Sequence, residues 1–231
     1  MLFPIRDENP SRERPIVNYI LIGINILVFH YEISLGSDMR SVFFHRFGIV
    51  PYEYTHGKDI LIPSAMPINL ITAMFIHGGF WHIFGNKWFL YIFGDNVEDA
   101  MGHVRYLIFY LLSGIIASAT HIIFNPGSKV PMIGASGAIS GVLGAYFVLY
   151  PSARIVSIVF LGFFITSVIL PAYLYLGIWI IMQAIFAFSS IGVNAASGVA
   201  WFAHVGGFVG GILLLPLFAR RRRTPPRVYW W

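Results

Sequence analysis

Between Ile155 and Ala219 the chain runs for 65 residues without an Asp, Glu, Lys or Arg. About 20 apolar residues cross the hydrocarbon core of a bilayer. The run therefore holds at least two membrane spans and the connection between them, with its backbone polar groups satisfied inside helices. The composition agrees. Of 231 residues, 57% are hydrophobic and 11% charged, against about 25% charged in an ordinary soluble domain. Disorder and a soluble nucleic-acid binder are excluded, and the chain is read as an integral membrane protein. With no cysteine, disulfide frameworks, cysteine nucleophiles and thiolate metal sites are excluded too.

Hydropathy places six spans, at Ile16–Glu32, Phe80–Asp95, Tyr106–Phe124, Ser136–Tyr150, Leu170–Phe188 and Ala200–Phe218. The apolar segment Arg154–Thr166 is read either as an interfacial hairpin leading into the fifth span or as part of a longer, tilted helix. An even number of spans puts both termini on one side. Arg6, Arg12, Arg14, Arg105, Arg154, Arg220–Arg223 and Arg227 then share that side, with Arg40, Arg46, Lys58 and Lys129 opposite. The positive-inside rule makes both termini cytoplasmic. The net charge of +5 is thus a topology signal, and no nucleic-acid partner is expected. The run Arg220–Arg223 is read as a stop-transfer anchor near anionic lipid, with a specific lipid or partner site as the alternative. No small-residue cleavage site follows the first span, so it is not read as a signal peptide. The absence of a transit segment points to a prokaryotic plasma membrane. The expected organisation is one polytopic domain over 1–231, with cytoplasmic tails at 1–15 and 220–231. A long outer loop spans 33–79. Its aromatics, among them Phe43, Phe44, Tyr52 and Tyr54, argue that it is packed.

Polar groups at membrane depth cost free energy unless partnered, and three constellations stand out. The first, Gly134-Ala135-Ser136-Gly137 with Ser140 and Gly141, opens the fourth span. Small-residue packing explains its Gly137, Gly141 and Gly144. Yet Ser136 sits where the free N–H groups of a helix start favour developing negative charge. The second is Ala203-His204, followed by Gly207 and Gly211 on the same face as His204. That face can press on the glycine face of the fourth helix and bring His204 to Ser136, as nucleophile and base require. The third is His77-x4-His82-x3-Asn86 entering the second span. His82 and Asn86 share a helix face. They are a poor metal set, without an acid or the zincin pattern, but suit an oxyanion as neutral donors. Lys87 is read as snorkelling. Gln183, one turn after Trp179, is read as bonding a neighbouring helix in preference to substrate.

Taken in order on the second, fourth and sixth spans, His77, His82, Asn86, Gly134-Ala-Ser136-Gly and Ala203-His204 resemble the rhomboid family of intramembrane serine proteases. Phe93-Gly94, Val97-Glu98 and Gly102 resemble that family's turn into the third span. The likeness runs from about 69 to 211. It implies an all-α, six-transmembrane helical bundle of rhomboid type, with no cofactor. It also implies Ser136 as nucleophile and His204 as general base. His82 and Asn86, with the Ser136 N–H, would line the oxyanion hole. His77 would support the site from the loop above, and Gly134 and Gly137 would flank the serine. Some members carry an aromatic at the position of Ser140 that stacks on the imidazole, so the orientation of His204 is expected to be less constrained here. No clear Trp-Arg pair is present in the outer loop.

The acid census supports a dyad by itself, since a triad needs a carboxylate beside His204. Asp95, Glu98 and Asp99 belong at the opposite end of the membrane, and no acid follows Asp99. The polar run Ser189, Ser190, Asn194 and Ser197 fits a water-filled cavity open to the outside. A membrane helix uses its carbonyls internally, so expected substrates are single-span proteins with Gly, Ala or Ser near the cut, where unwinding is cheap. The long loop and fifth span form the expected access route. The alternative is an inactive rhomboid-like protein that binds client helices. A transporter is disfavoured by the absence of acids in the last three spans. The sequence carries no signal for an oligomeric state.

Overall fold

A computed structural model of the chain describes residues 2–63, 66–161, 164–191 and 199–220. Six long helices occupy the segments that hydropathy selected. They are α1 (Ile16–Ser34), α5 (Phe80–Met101), α6 (His103–Phe124), α7 (Ser136–Leu149), α8 (Ala172–Ser189) and α9 (Trp201–Phe218). Four of them, α1, α6, α8 and α9, are long and apolar enough to cross a bilayer. The helix α5 is long enough but less apolar, carrying His82, Asn86 and Lys87 in its first half and Asp95, Asn96, Glu98 and Asp99 in its second. At about 1.5 Å per residue α7 measures roughly 21 Å. Its length need not match the lipid, because Gly137 through Tyr146 are buried without a break.

The core is α7 enclosed by α5, α6, α8 and α9, and side-chain size sets how close the backbones come. A Cβ on Gly207 would stand 2.1 Å from the Gly137 carbonyl oxygen, and one on Gly211 would stand 2.2 Å from that of Gly141. From the other side, a Cβ on Gly144 would lie 2.2 Å from the Phe208 carbonyl oxygen. The α7–α9 seam is therefore a backbone-to-backbone contact that only glycine permits, as expected of small-residue packing in membranes. On its far side, Gly206 and Gly210 admit α6 against Thr120 and Ile116.

Buried polar groups hold the remaining helices. Both carboxylate oxygens of Glu98, on α5, accept from the first turn of α1, from Val17 N at 2.9 Å and Asn18 N at 2.7 Å. This supplies acceptors for N–H groups that a helix start leaves open. Asn18 donates from Nδ2 to the Leu90 carbonyl and accepts from the Tyr106 hydroxyl, each at 2.9 Å. At the other end of α1, both oxygens of Glu32 accept from His77 N at 3.2 Å. The outer segment is packed, with short helices α2 (Ser37–Phe47), α3 (Pro51–His56) and α4 (Asn69–Thr72). Ile49 and Val50 are fully buried, and Ile49 bridges to Met132.

An all-α expectation is corrected in one place. Leu2–Asp7, Arg154–Leu161 and Phe164–Pro171 form strands β1, β2 and β3 of an antiparallel sheet in the order β1-β2-β3. The segment left open between hairpin and helix is the hairpin, rich in β-branched residues. The first residues are no free tail but its third strand, with Leu2 opposite Val159 and Asp7 opposite Ile155. Trp88 of α5 stacks on Phe3 and donates from Nε1 to the Pro4 carbonyl at 2.7 Å. Since β3 runs directly into α8, the sheet bridges α5 to α8. Asp7 closes it, accepting from the Tyr146 hydroxyl at 2.5 Å and Asn96 Nδ2 at 3.1 Å.

Two predictions follow from this packing. Gly207→Ala is expected to destabilise the detergent-solubilised protein by about 1–3 kcal/mol through overpacking. Gly23→Ala gains the same helix propensity with nothing within 4 Å, and is expected to be neutral or stabilising. Thermal unfolding of the two variants checks the pair. The second prediction concerns Asp7, whose carboxyl burial pushes up to about 7 against the opposing hydrogen bond from Tyr146. A carboxyl raised in the folded state stabilises most fully below the unfolded value of about 3.9, and that stabilisation is lost as pH rises through about 7. Hydrogen exchange of β1, corrected for intrinsic rates, should show weaker protection at pH 8 than at pH 5. Asp7→Asn should erase that difference.

Candidate active site

The site is built where the first turn of α7 meets α9. Ser136 is the first residue of α7, and the seam glycines set the approach of His204. The Ser136 hydroxyl lies 2.8 Å from His204 Nε2. The other ring nitrogen, Nδ1, is 2.7 Å from Oε1 of Gln183 on α8. The imidazole thus bridges two helices and is itself buried. Its nearest aromatic neighbours are Trp179 and Trp201, each with ring centroid 6.0 Å away. At the position where an aromatic was missed, Ser140 donates to the Ser136 carbonyl at 2.7 Å. The expected looseness of His204 is therefore corrected: Gln183 and two indoles hold the ring in place of a stacked side chain on α7.

Glycine at 134 has two reasons. Its φ of +122° is rarely adopted by other residues, and a Cβ there would lie 2.6 Å from His82 Nε2. Its N–H donates to the Ala73 carbonyl at 2.8 Å, which seats the chain before Ser136. At Gly137 a Cβ would strike the Ala117 methyl on α6 at 2.7 Å. His82 stands beside Gly134, so α5 brings it to the cleft that Ser136 lines. Asn86, one turn further along α5, donates from Nδ2 to the His82 carbonyl at 2.8 Å. His77 is buried above them, edge-on to His82 with centroids 5.2 Å apart, and anchored through its own N–H to Glu32.

Ser136, His204, His82 and Asn86 face a cleft of about 240 Å³, lined also by Trp179 and Phe89 among others. The cleft opens between α5 and α8. Ser190 donates to the Ala187 carbonyl, while Asn194 and Ser197 lie outside the described residues. Lys87 departs from expectation. It is 9% exposed and its Nζ has no hydrogen-bond partner among the described residues, so it does not snorkel to water.

Two features escaped the sequence reading. The link from Glu32 to the His77 loop had a signal, an acid at the end of an otherwise apolar span. The contact of Trp201 with the imidazole had none, since Trp201 precedes His204 by three residues and one more aromatic in an apolar helix carries no information. Gln183, read as bonding a neighbouring helix, does so, and its partner is His204.

Comparison with known proteins bears on the same residues. A family model described as the Rhomboid domain matches residues 64–221. "Rhomboid protein 1, mitochondrial" of Saccharomyces cerevisiae is 28% identical over 200 residues, covering 84% of this chain and 51% of that protein. "Rhomboid protease GluP" of Bacillus subtilis is 29% identical over 198 residues, 86% of this chain and 34% of its own length. "Putative rhomboid protease YdcA" of the same organism is 30% identical over 145 residues, 62% of this chain and 67% of the other. The chain spans about half the length of the first of these relatives and a third of the second. The family match takes in every residue of the cleft, from Trp81 on α5 to His204 on α9, together with His77 before them, and the chain belongs to the rhomboid family of multi-pass membrane proteins.

Proposed function

We propose that the chain is an intramembrane serine endopeptidase that cleaves single-span membrane proteins with a Ser136–His204 dyad. The observation that carries the proposal is the 2.8 Å separation of the Ser136 hydroxyl and His204 Nε2, from helices 68 residues apart in sequence. The Ser136 hydroxyl donates to the bare Nε2. As Oγ attacks the substrate carbonyl, the proton moves to Nε2, and the tetrahedral oxyanion forms beside the start of α7. The Ser136 N–H has no acceptor within its own helix turn, and the helix dipole favours negative charge there. His82 and Asn86 add neutral donors. The bond from Asn86 to the His82 carbonyl uses one of two amide hydrogens, which fixes the side chain and leaves the other for the oxyanion. Collapse of the intermediate returns the Nε2 proton to the leaving amine. Water from the cleft then hydrolyses the acyl-enzyme by the same route, with His204 again as base.

Supporting geometry extends to topology. Arg220, at the end of α9, donates through its N–H to the Ala100 carbonyl at 3.0 Å and through Nη1 to Glu13 at 2.8 Å. The two ends of the helical set therefore meet, which supports six crossings with both termini on one side. The arginine bias makes that side cytoplasmic. The cleft between α5 and α8 supports lateral access from lipid, and its volume of about 240 Å³ admits the water that hydrolysis of a locally unwound helix needs. The relatives carry both mitochondrial and bacterial names, so residence in a prokaryotic plasma membrane remains a proposal from the sequence.

Ser136→Ala in the full chain is expected to reduce cleavage of a model single-span substrate by about 10⁴-fold or more. Wild-type turnover in that variant would contradict the dyad and favour a protein that binds helices without cutting them. Asn86→Ala is expected to lower kcat by roughly 10²–10³, the effect of one lost oxyanion donor, with KM and unfolding temperature little changed. An equal fall in stability would make Asn86 structural.

A further inference from the structure

A general base without a carboxylate partner raises a question that the dyad leaves open, namely what decides which imidazole nitrogen carries the proton. A neutral imidazole has one N–H and one acceptor nitrogen, and the hydrogen bond at one sets the state of the other. If Nε2 carried the proton, it could not accept from Ser136. The partner at Nδ1 is therefore decisive, and that partner is the carboxamide oxygen of Gln183 at 2.7 Å. A carbonyl oxygen only accepts, so Nδ1 donates and Nε2 is bare toward the hydroxyl.

The helix around Gln183 makes the contact specific. Ile181, Met182 and Ile185 face outward, as befits a helix beside lipid. Gln183 is 6% exposed and lies with Tyr175, Leu176 and Ala187 on the buried face of α8. A carboxamide at that depth is costly unless bonded, and its oxygen is spent on the ring. The groups facing His204 are Ser136 on α7, Gln183 and Trp179 on α8, and Trp201 from the preceding turn of α9. Among the described residues none of the His204 hydrogen bonds goes to a carboxylate.

We propose that Gln183 is the positioning residue of this site, an uncharged third member on α8 that locks His204 in the Nδ1–H tautomer. It does the orienting work of a triad aspartate without bringing a second charge into the membrane. The proposal rests on the dyad reading above. It differs from plain helix–helix adhesion because it fixes a proton, which adhesion would not.

The test reads the tautomer directly. Full-length protein labelled with ¹⁵N-histidine, in detergent, gives a His204 signal identified by its loss in His204→Phe. Wild type is expected to show Nδ1 protonated and Nε2 bare. An Nε2–H wild type, in which the Gln183 amide donates instead, would overturn the proposal without any variant being made. Gln183→Met keeps length and removes the acceptor. It is expected to shift the population toward Nε2–H and lower kcat at least about tenfold with KM unchanged, short of the roughly 10⁴-fold seen when a tautomer is fully inverted. Gln183→Glu restores an acceptor and should recover both tautomer and kcat. Unchanged tautomer and kcat in Gln183→Met would overturn the assignment, as would failure of Gln183→Glu to rescue. Because the tautomer needs no turnover, a wild type that proves unable to cleave would refute the dyad reading while still testing Gln183.

Discussion

The α7–α9 seam is the constraint on which the molecule turns. Glycine at 144, 207 and 211 removes the side chains that would otherwise separate the two backbones, while Gly137 and Gly141 do the same toward Ala117 and Ser113 on α6, and across the seam the helices meet carbonyl against Cα. In lipid there is little hydrophobic gain from bringing helices together, so close packing supplies the attraction. The same closeness carries a short hydroxyl and an imidazole across the interface to within hydrogen-bond reach. The packing that stabilises the bundle and the geometry that would do chemistry are one feature.

The carboxylates are used elsewhere. Glu98 receives the open N–H groups of α1, Glu32 holds the loop bearing His77, and Asp7 fastens the terminal strand to Tyr146. Each works at an end of the helical set, where the cost of a charge or of a carboxylic acid is lowest. The cleft at Ser136 is left to uncharged side chains: the hydroxyls of Ser136 and Ser140, imidazoles, and the amide of Asn86, with that of Gln183 behind His204. Such a set can shuttle a proton without placing a permanent charge in a low-dielectric interior.

Much of this was legible because membrane sequence is constrained. The 65-residue uncharged run placed two apolar helices, α8 and α9, and polar residues within them had few places to go. Ser136 and His204 announced themselves by their glycines. The sheet was not legible. Residues 154–171 are apolar and β-branched, a pattern shared by a strand and a buried helix, and only pairing with Leu2–Asp7 distinguishes them. Lys87 misled through a general habit of lysines: its stem is enclosed by the bundle, and no helix-wheel argument gives the depth of a neighbour. The orientation of His204 was underestimated because the comparison was with an aromatic on α7, whereas the restraint comes from α8 and α9.

A fluorophosphonate that reacts only with an activated serine tests the central claim most directly. Intact-mass analysis and peptide mapping of the solubilised full chain should find a single adduct, on Ser136, and His204→Ala should abolish it while the fold, followed by circular dichroism, persists. An adduct on another residue, or labelling that survives loss of the imidazole, would mean that the hydroxyl and ring lie together without acting together.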